Sequence, residues 1–301
     1  MRVLIFGVGG VGGYLASRIH SYDFEITYIA RGKRFEFLKK KGLIVKSNLG
    51  DKEIKNIKVL KSIPPKGKFD IIISTVKLYD FDNFIKDLKS IDYKDSVILP
   101  FQNGIYSEQK LIEEFGEKKT FGAVAQISSF VDNQQHIIHK GNLASFFVGS
   151  IENNKNKNLQ IFCEKSEKSG LQIKLKTNIK EKIWEKFIFL SAYSGITTLS
   201  EKTIGVIFDS KKLRLMFIEA MRETYNLSKF FNVEFKSDPV EYWLKKIEKM
   251  PYDMTSSMYI DYINNKKLEL NWLSGFIVKY SKKLGNKCIT HQAIIDGIVV
   301  K

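Results

Sequence analysis

Arg2-Val3-Leu4-Ile5-Phe6-Gly7-Val8-Gly9-Gly10-Val11-Gly12-Gly13-Tyr14-Leu15 opens the chain and decides how the rest is read. Arg2 to Phe6 is a short apolar run, which reads as a buried strand. Val11, Leu15 and Ile19 then recur every four residues, the spacing of one helix face. Between strand and helix, Gly7-Val8-Gly9-Gly10-Val11-Gly12 forms a GxGxxG turn, and that context makes it specific. Gly7 allows the tight turn, Gly9 lets the backbone approach a pyrophosphate, and Gly12 lets the helix pack closely on the strand. The pyrophosphate would sit at the helix N-terminus, where unpaired N–H groups and the helix dipole favour negative charge. A glycine-rich loop of purely structural use is the plainer alternative.

Glu25 to Ile29 reads as the second strand, and Ile29-Ala30-Arg31-Gly32-Lys33-Arg34 follows it. An acidic residue at this place would accept hydrogen bonds from the ribose hydroxyls of NAD(H). Three cations stand there instead, which suits the 2′-phosphate of NADP(H). Arg31 is the candidate ligand, because a guanidinium grips a phosphate through two bonds and stacks on adenine. Lys33 and Arg34 are solvated charges or helpers, with room for one of them to contribute.

Asp70 to Val76 is a third strand, Phe84 to Leu88 lies in a helix, and Val97 to Pro100 is a fourth strand. Alternating strands and helices predict a parallel, doubly wound sheet of Rossmann type. Thr75-Val76-Lys77 and Phe101-Gln102-Asn103-Gly104 follow strands at the edge where such sheets bind ligands. Lys77 and Asn103 are therefore candidate site residues; a surface lysine and a turn-forming Asn-Gly are their plain alternatives. From Ile179 onward, helix-periodic segments replace strands, at Lys211 to Phe231, Val240 to Met250, Met254 to Asn264 and Leu268 to Leu284. The expected organisation is an α/β nucleotide-binding domain over 1–175 and an all-helical domain over 176–301. His136 to Ser150 reads as a hairpin turning at Lys140-Gly141-Asn142.

The chain has 301 residues, 44% of them hydrophobic, enough to bury a sizeable core in two domains. The net charge is +16, but the lysines are spread among Asn, Ile and acidic residues rather than gathered, so nucleic acid is not an expected partner. The charge would draw an anionic small molecule toward a cleft. Cys163 and Cys288 stand apart in no ligand spacing, as in a reduced, cytoplasmic chain. The apolar N-terminus superficially mimics a signal peptide, but its five glycines from Gly7 to Gly13 fit a phosphate turn better. No apolar run reaches membrane-spanning length. His136 and His139 would fall on opposite faces of a strand, and no cysteine or acidic cluster accompanies them, so no metal is expected.

Gly7 to Gly12, Arg31-Gly32, Val76-Lys77, Gln102-Asn103-Gly104, Trp184-Glu185-Lys186, Ser256-Ser257-Met258 with Asp261, and Glu269 occur in this order. Together they resemble the ketopantoate reductase family over nearly the whole chain. The resemblance implies a Rossmann domain, a helical domain and a substrate cleft. It also implies reduction of a 2-keto acid by NADP(H), with ketopantoate (2-dehydropantoate) giving pantoate as the family reaction. Lys186 would be the general acid that protonates the keto oxygen, and Glu269 its acidic partner. Ser257 matches a substrate-binding serine, while Asn103, Lys77 and Glu269 line the nicotinamide and substrate end.

The sequence departs from that pattern at the expected substrate wall. Positions 186, 190 and 194 share a helix face. Where well-characterised members carry asparagines, this chain has Leu190, Ser194 and, three residues before Ser257, Met254. Loss of partners for a hydroxyl weakens discrimination for it. The alternatives are thus a reductase of a more apolar 2-keto acid, and a non-catalytic NADP-binding sensor. His291 replaces a usual proline and is expected to affect a loop. Tyr193 is a second proton-donor candidate whose plainer role is packing. The apolar helices of the second half leave room for a homodimer interface.

Overall fold

The computed structural model describes residues 1–152 and 154–299. Clustering of contacts divides the chain into two compact units: Met1–Gln102 with Ser107–Ile179, and Asn103–Tyr106 with Lys180–Lys301. The four residues 103–106 therefore group with the helical unit, although they lie in sequence within the α/β one.

The first unit begins with β1 (Arg2–Phe6), α1 (Gly10–Ile19), β2 (Glu25–Ile29), α2 (Gly32–Lys41), β3 (Leu43–Ser47), β4 (Lys52–Ile54) and β5 (Lys58–Leu60). It continues with β6 (Ile71–Ser74), α3 (Phe81–Leu88), β7 (Val97–Pro100), α4 (Tyr106–Phe115), β8 (Phe121–Val131), β9 (Ile137–Ser150), α5 (Lys157–Lys168) and β10 (Ile173–Leu175). A five-stranded sheet has the order β5-β2-β1-β6-β7, and every pairing in it is parallel. β1 is central, with Val3 opposite Ile26 on one side and Ile71 on the other. The winding direction reverses at β1, so the crevice beyond its carboxyl end is the place where such sheets bind ligands. Val3, Leu4, Ile5, Ile71, Ile72 and Ile73 are fully buried, as strands covered on both faces must be.

The second sheet is mixed, in the order β10-β9-β3-β4, with β8 antiparallel to β9. The expected hairpin at His136 to Ser150 takes another form. β9 runs through that whole stretch and pairs with β8, and the turn lies earlier, at 132–136. Lys140-Gly141-Asn142 is a bulge: Ser128 pairs with Lys140 and the neighbouring Ile127 with Ala144. Gly141 at φ +74° supplies the left-handed step that a bulge shares with a turn.

The second unit carries α6 (Ile179–Ser200), α7 (Ile204–Asp209), α8 (Lys211–Phe230), α9 (Pro239–Ile247), α10 (Ser257–Ile263), α11 (Ser274–Lys283) and α12 (Ile289–Val299). α6 is the central helix: Ile183, Trp184, Phe187, Ile188, Ala192 and Ile196 are buried around its circumference. The helix expected from Met254 starts only at Ser257, because the Ser256 hydroxyl accepts from the Tyr259 amide and caps it. The helix expected from Leu268 is broken into a 3-10 turn over 270–272 and then α11. His291 lies in the first turn of α12, fully buried, rather than in a loop. Among the described residues no helix is long and apolar enough to cross a membrane.

Candidate active site

In the first unit the chain leaves β1 through Gly7 at φ +100°, a conformation open to glycine. The Gly7 amide donates to the Ile29 carbonyl at 3.1 Å, and the Thr75 hydroxyl donates to the Gly7 carbonyl. A Cβ at Gly12 would stand 2.2 Å from both the Gly7 carbonyl oxygen and Thr75 Oγ1. By contrast, a Cβ at Gly9 would meet nothing within 4 Å. Gly12 is thus filled by protein, while Gly9 faces open space at the start of α1, where no side chain caps the free amides. Val8 is buried, Gly10 and Val11 are half-buried, and α1 has no acidic residue in its first turn. A cradle left open at one glycine and shut at another fits a dinucleotide pyrophosphate.

The cations after β2 separate into different environments. Arg31 lies exposed, its Nη2 2.9 Å from Asp87 Oδ2 and its guanidinium 5.7 Å from the centre of the Phe6 ring. Lys33 is exposed on α2. Arg34 turns inward, and its Nε donates to the Val8 carbonyl at 2.7 Å. Burial pulls its guanidinium down to about 10, against the opposing pull of nearby Asp132. Lys77 is half-buried just before the 3-10 turn at Leu78–Asp80. Gln102, buried after β7, donates to Ser74 Oγ at 2.9 Å and to the Val76 carbonyl at 3.1 Å. Sequence reasoning passed over Thr75 and Gln102 as holders of these loops; the signal available was a polar residue ending an apolar strand.

In the second unit, α6 positions Lys186, and its Nζ donates to Asn103 Oδ1 at 2.9 Å. The residues are 83 positions apart. The register of α6 is fixed by large neighbours: Trp184 packs on Phe187 and Phe231, and Trp243 Nε1 donates to the Glu185 carbonyl at 2.6 Å. Glu185 faces Lys182 at 2.6 Å. Asn103 is placed by Gly104 at φ +82°, whose open side abuts Leu273 and Phe187. Glu269 is buried at the start of the 3-10 turn, where its carbonyl accepts from the Trp272 and Leu273 amides.

The remaining candidates of the helical unit lie on α6 and around the start of α10. Ser257 is exposed in the first turn of α10, and Leu190 is half-buried on α6. Met254 lies in the loop before α10, half-buried, with its carbonyl accepting from the Ile204 amide at 2.9 Å. Ser194 is buried on α6, where its carbonyl accepts from Thr198 Oγ1 at 2.7 Å. Tyr193 is buried without a hydrogen bond to its hydroxyl, and burial pushes its ionisation well up. It stacks on Phe189 at 5.0 Å between ring centres, so its role is packing. His136 faces Asp132, and His139 binds Ser47 and the Leu143 carbonyl. Among the described residues no metal-binding group of three or more His, Cys, Asp or Glu is gathered.

A parallel sheet wound about β1, with a glycine turn at the end of that strand, defines the class of dinucleotide-binding Rossmann proteins. Comparison with known proteins narrows the class. Residues 3–153 match the family model described as ketopantoate reductase PanE/ApbA, and residues 178–300 match its C-terminal model. The chain belongs to the ketopantoate reductase family and is an oxidoreductase. It is 29% identical to the uncharacterized oxidoreductase YkpB of Bacillus subtilis (strain 168), over 94% of this chain and 93% of that one. It is 27% identical to a 2-dehydropantoate 2-reductase of Pyrococcus horikoshii, over 94% and 91%. Among solved structures, a 2-dehydropantoate 2-reductase from Geobacter metallireducens GS-15 superposes with a TM-score of 0.87 at 20% identity, over 100% and 99% of the two chains. A D-mandelate dehydrogenase with NADH and anilino(oxo)acetate superposes at 0.88 and 19%, over 100% and 97%. These structures establish the fold, a Rossmann-type unit followed by a helical one.

Proposed function

We propose that this chain reduces a 2-keto acid to the 2-hydroxy acid with NADPH, and that 2-dehydropantoate, giving pantoate, is its first candidate substrate. The observation that carries the reading is the Lys186–Asn103 hydrogen bond, which holds an ammonium in a fixed direction within the helical unit. When bound, the nicotinamide supplies the hydride to the keto carbon. Lys186 gives one N–H proton to the keto oxygen as the carbonyl π bond becomes an O–H bond, and the neutral amine regains a proton from solvent. Glu269 helps to keep Lys186 charged and the substrate oriented, and Ser257 donates to the substrate. The nucleotide rests on Gly7 to Gly12, with Arg31 at the 2′-phosphate and Lys77 and Asn103 toward the nicotinamide end. In this division of labour residues 1–175 bind nucleotide and residues 176–301 act on substrate, with Asn103 the exception.

A second reading has a specific motive. Leu190 and Met254 are both half-buried apolar groups where the family pattern carries asparagines. They favour a branched, less hydroxylated 2-keto acid. Steady-state rates with NADPH against 2-dehydropantoate and a panel of branched apolar 2-keto acids separate the two: a clear preference for 2-dehydropantoate ends the second. Lys186→Ala is expected to lower kcat by about 10²–10⁴ while NADPH still binds. Unchanged turnover in that variant would remove Lys186 from the reaction.

A further inference from the structure

Arg34 joins two segments of the first unit that lie far apart in sequence. Its Nε donates to the Val8 carbonyl at 2.7 Å, and its Nη1 donates to the Gln135 carbonyl. Val8 stands between the first two glycines of the turn. Gln135, at φ +67°, sits in the 132–136 turn that joins β8 to β9. The third guanidinium nitrogen, Nη2, is buried and has no hydrogen-bond partner among the described residues.

The charge of Arg34 is also poorly answered. Asp132 is the nearby acid, and its carboxylate is shared: Oδ1 accepts from the His136 amide at 2.8 Å, and Oδ2 lies 3.7 Å from His136 Nδ1. With Nη2 unpaired and the carboxylate of Asp132 engaged at His136, the half-buried guanidinium keeps hydrogen-bonding capacity behind the glycine turn, and a half-buried cation in this position favours an anion nearby. The same strand pair presses on the turn from another side, since a Cβ at Gly10 would stand 2.4 Å from the Ser129 carbonyl oxygen.

We propose that Arg34 is a positioning residue of the dinucleotide site: its grip on Val8 and Gln135 sets the peptide planes of the glycine turn, and its charge favours the pyrophosphate common to NADH and NADPH. The proposal rests on the reading that this turn binds a nicotinamide dinucleotide. It gives Arg34 a role different in kind from that of Arg31, which is read as the ligand of the 2′-phosphate.

The test is a fluorescence titration of NADPH and of NADH against the unaltered protein, Arg34→Met and Arg34→Lys, with thermal unfolding of each. Arg34→Met is expected to raise both dissociation constants by about tenfold and leave their ratio unchanged. Arg34→Lys keeps the charge but cannot fork to two carbonyls, so it is expected to recover only part of the loss. A loss confined to NADPH would overturn the proposal and assign Arg34 to the 2′-phosphate. Unchanged constants in a folded Arg34→Met would make Arg34 a residue of the fold alone. If Arg34→Met does not fold, Arg34→Lys decides: an equal partial loss for both nucleotides supports the proposal, and constants matching the unaltered protein overturn it. Binding of neither nucleotide to the unaltered protein would instead overturn the dinucleotide reading itself, before any variant is made.

Discussion

Arg31 and Arg34 stand three residues apart and use the same charge differently. The Arg31–Asp87 pair is open to solvent, with 56% and 30% of the two side chains exposed. Exposed pairs of this kind contribute about 0–1 kcal/mol. A doubly charged phosphate forked by the guanidinium competes easily with that single carboxylate. Arg31→Ala is therefore expected to raise the dissociation constant for NADPH by about tenfold and to leave that for NADH nearly unchanged. Titration with both nucleotides checks it, and equal losses would remove the 2′-phosphate contact. Residue type at the end of β2 was enough to raise this reading. It was not enough to separate Arg34 from its neighbours, because inward and outward arginines on a short helix look alike until the carbonyl that receives them is seen.

The elements differ in how openly the sequence declared them. α1 was legible from its four-residue period, β1, β2 and β7 from their short apolar runs, and the glycine turn because its motif lies within six neighbouring residues. That turn makes a sharp contrast available. In Gly12→Ala the new methyl meets the backbone of Gly7, which cannot step aside, so about 1–3 kcal/mol of stability or more should be lost by urea unfolding. In Gly9→Ala the methyl meets no protein atom, so stability should fall by no more than about 1 kcal/mol while nucleotide affinity drops. If the two variants unfold alike, Gly12 is not held against Gly7 and Thr75 as described. The β8–β9 pair was misread for a local reason: Lys140-Gly141-Asn142 is exposed, polar and kinked, and a bulge and a turn recruit the same residues. The joining of Asn103 to Lys186 was not legible from spacing at all, since 83 residues separate them and each alone suits an ordinary surface position.

At the scale of the molecule, His291 shows how a buried polar network ties several helices into one helical unit. Its Nε2 lies 3.0 Å from both the Ala220 carbonyl and Thr224 Oγ1, and its Nδ1 lies 3.1 Å from Ser274 Oγ. Thr224 in turn meets Ser191 Oγ of α6 at 2.9 Å. The Ala220 carbonyl can only accept, so the Nε2–H tautomer is the neutral form that fits, with Nδ1 receiving the Ser274 hydroxyl. Glu223 caps the start of α12 by accepting from the Thr290 and His291 amides at 2.7 and 2.9 Å. Burial pushes the imidazole down to about 4, from an ordinary value of 6.5. The folded chain thus prefers the neutral ring, and the unfolded chain binds the extra proton. The contribution of this group to stability should be flat above about pH 6.5 and fall as pH drops toward 4, by at most on the order of 3 kcal/mol. Urea midpoints across that range, compared with His291→Gln, would show it; an equal slope in the variant would clear His291 of the effect. The position of β1 has a different consequence, one felt while the chain is being made. β1 precedes the other strands of its sheet in the chain and is the middle strand of that sheet. One edge is met early by β2, but the other waits for β6, which begins only at Ile71. Until then an apolar strand keeps an open edge that a neighbouring nascent chain could pair with, so the interval of synthesis between β2 and β6 is one of exposure to aggregation.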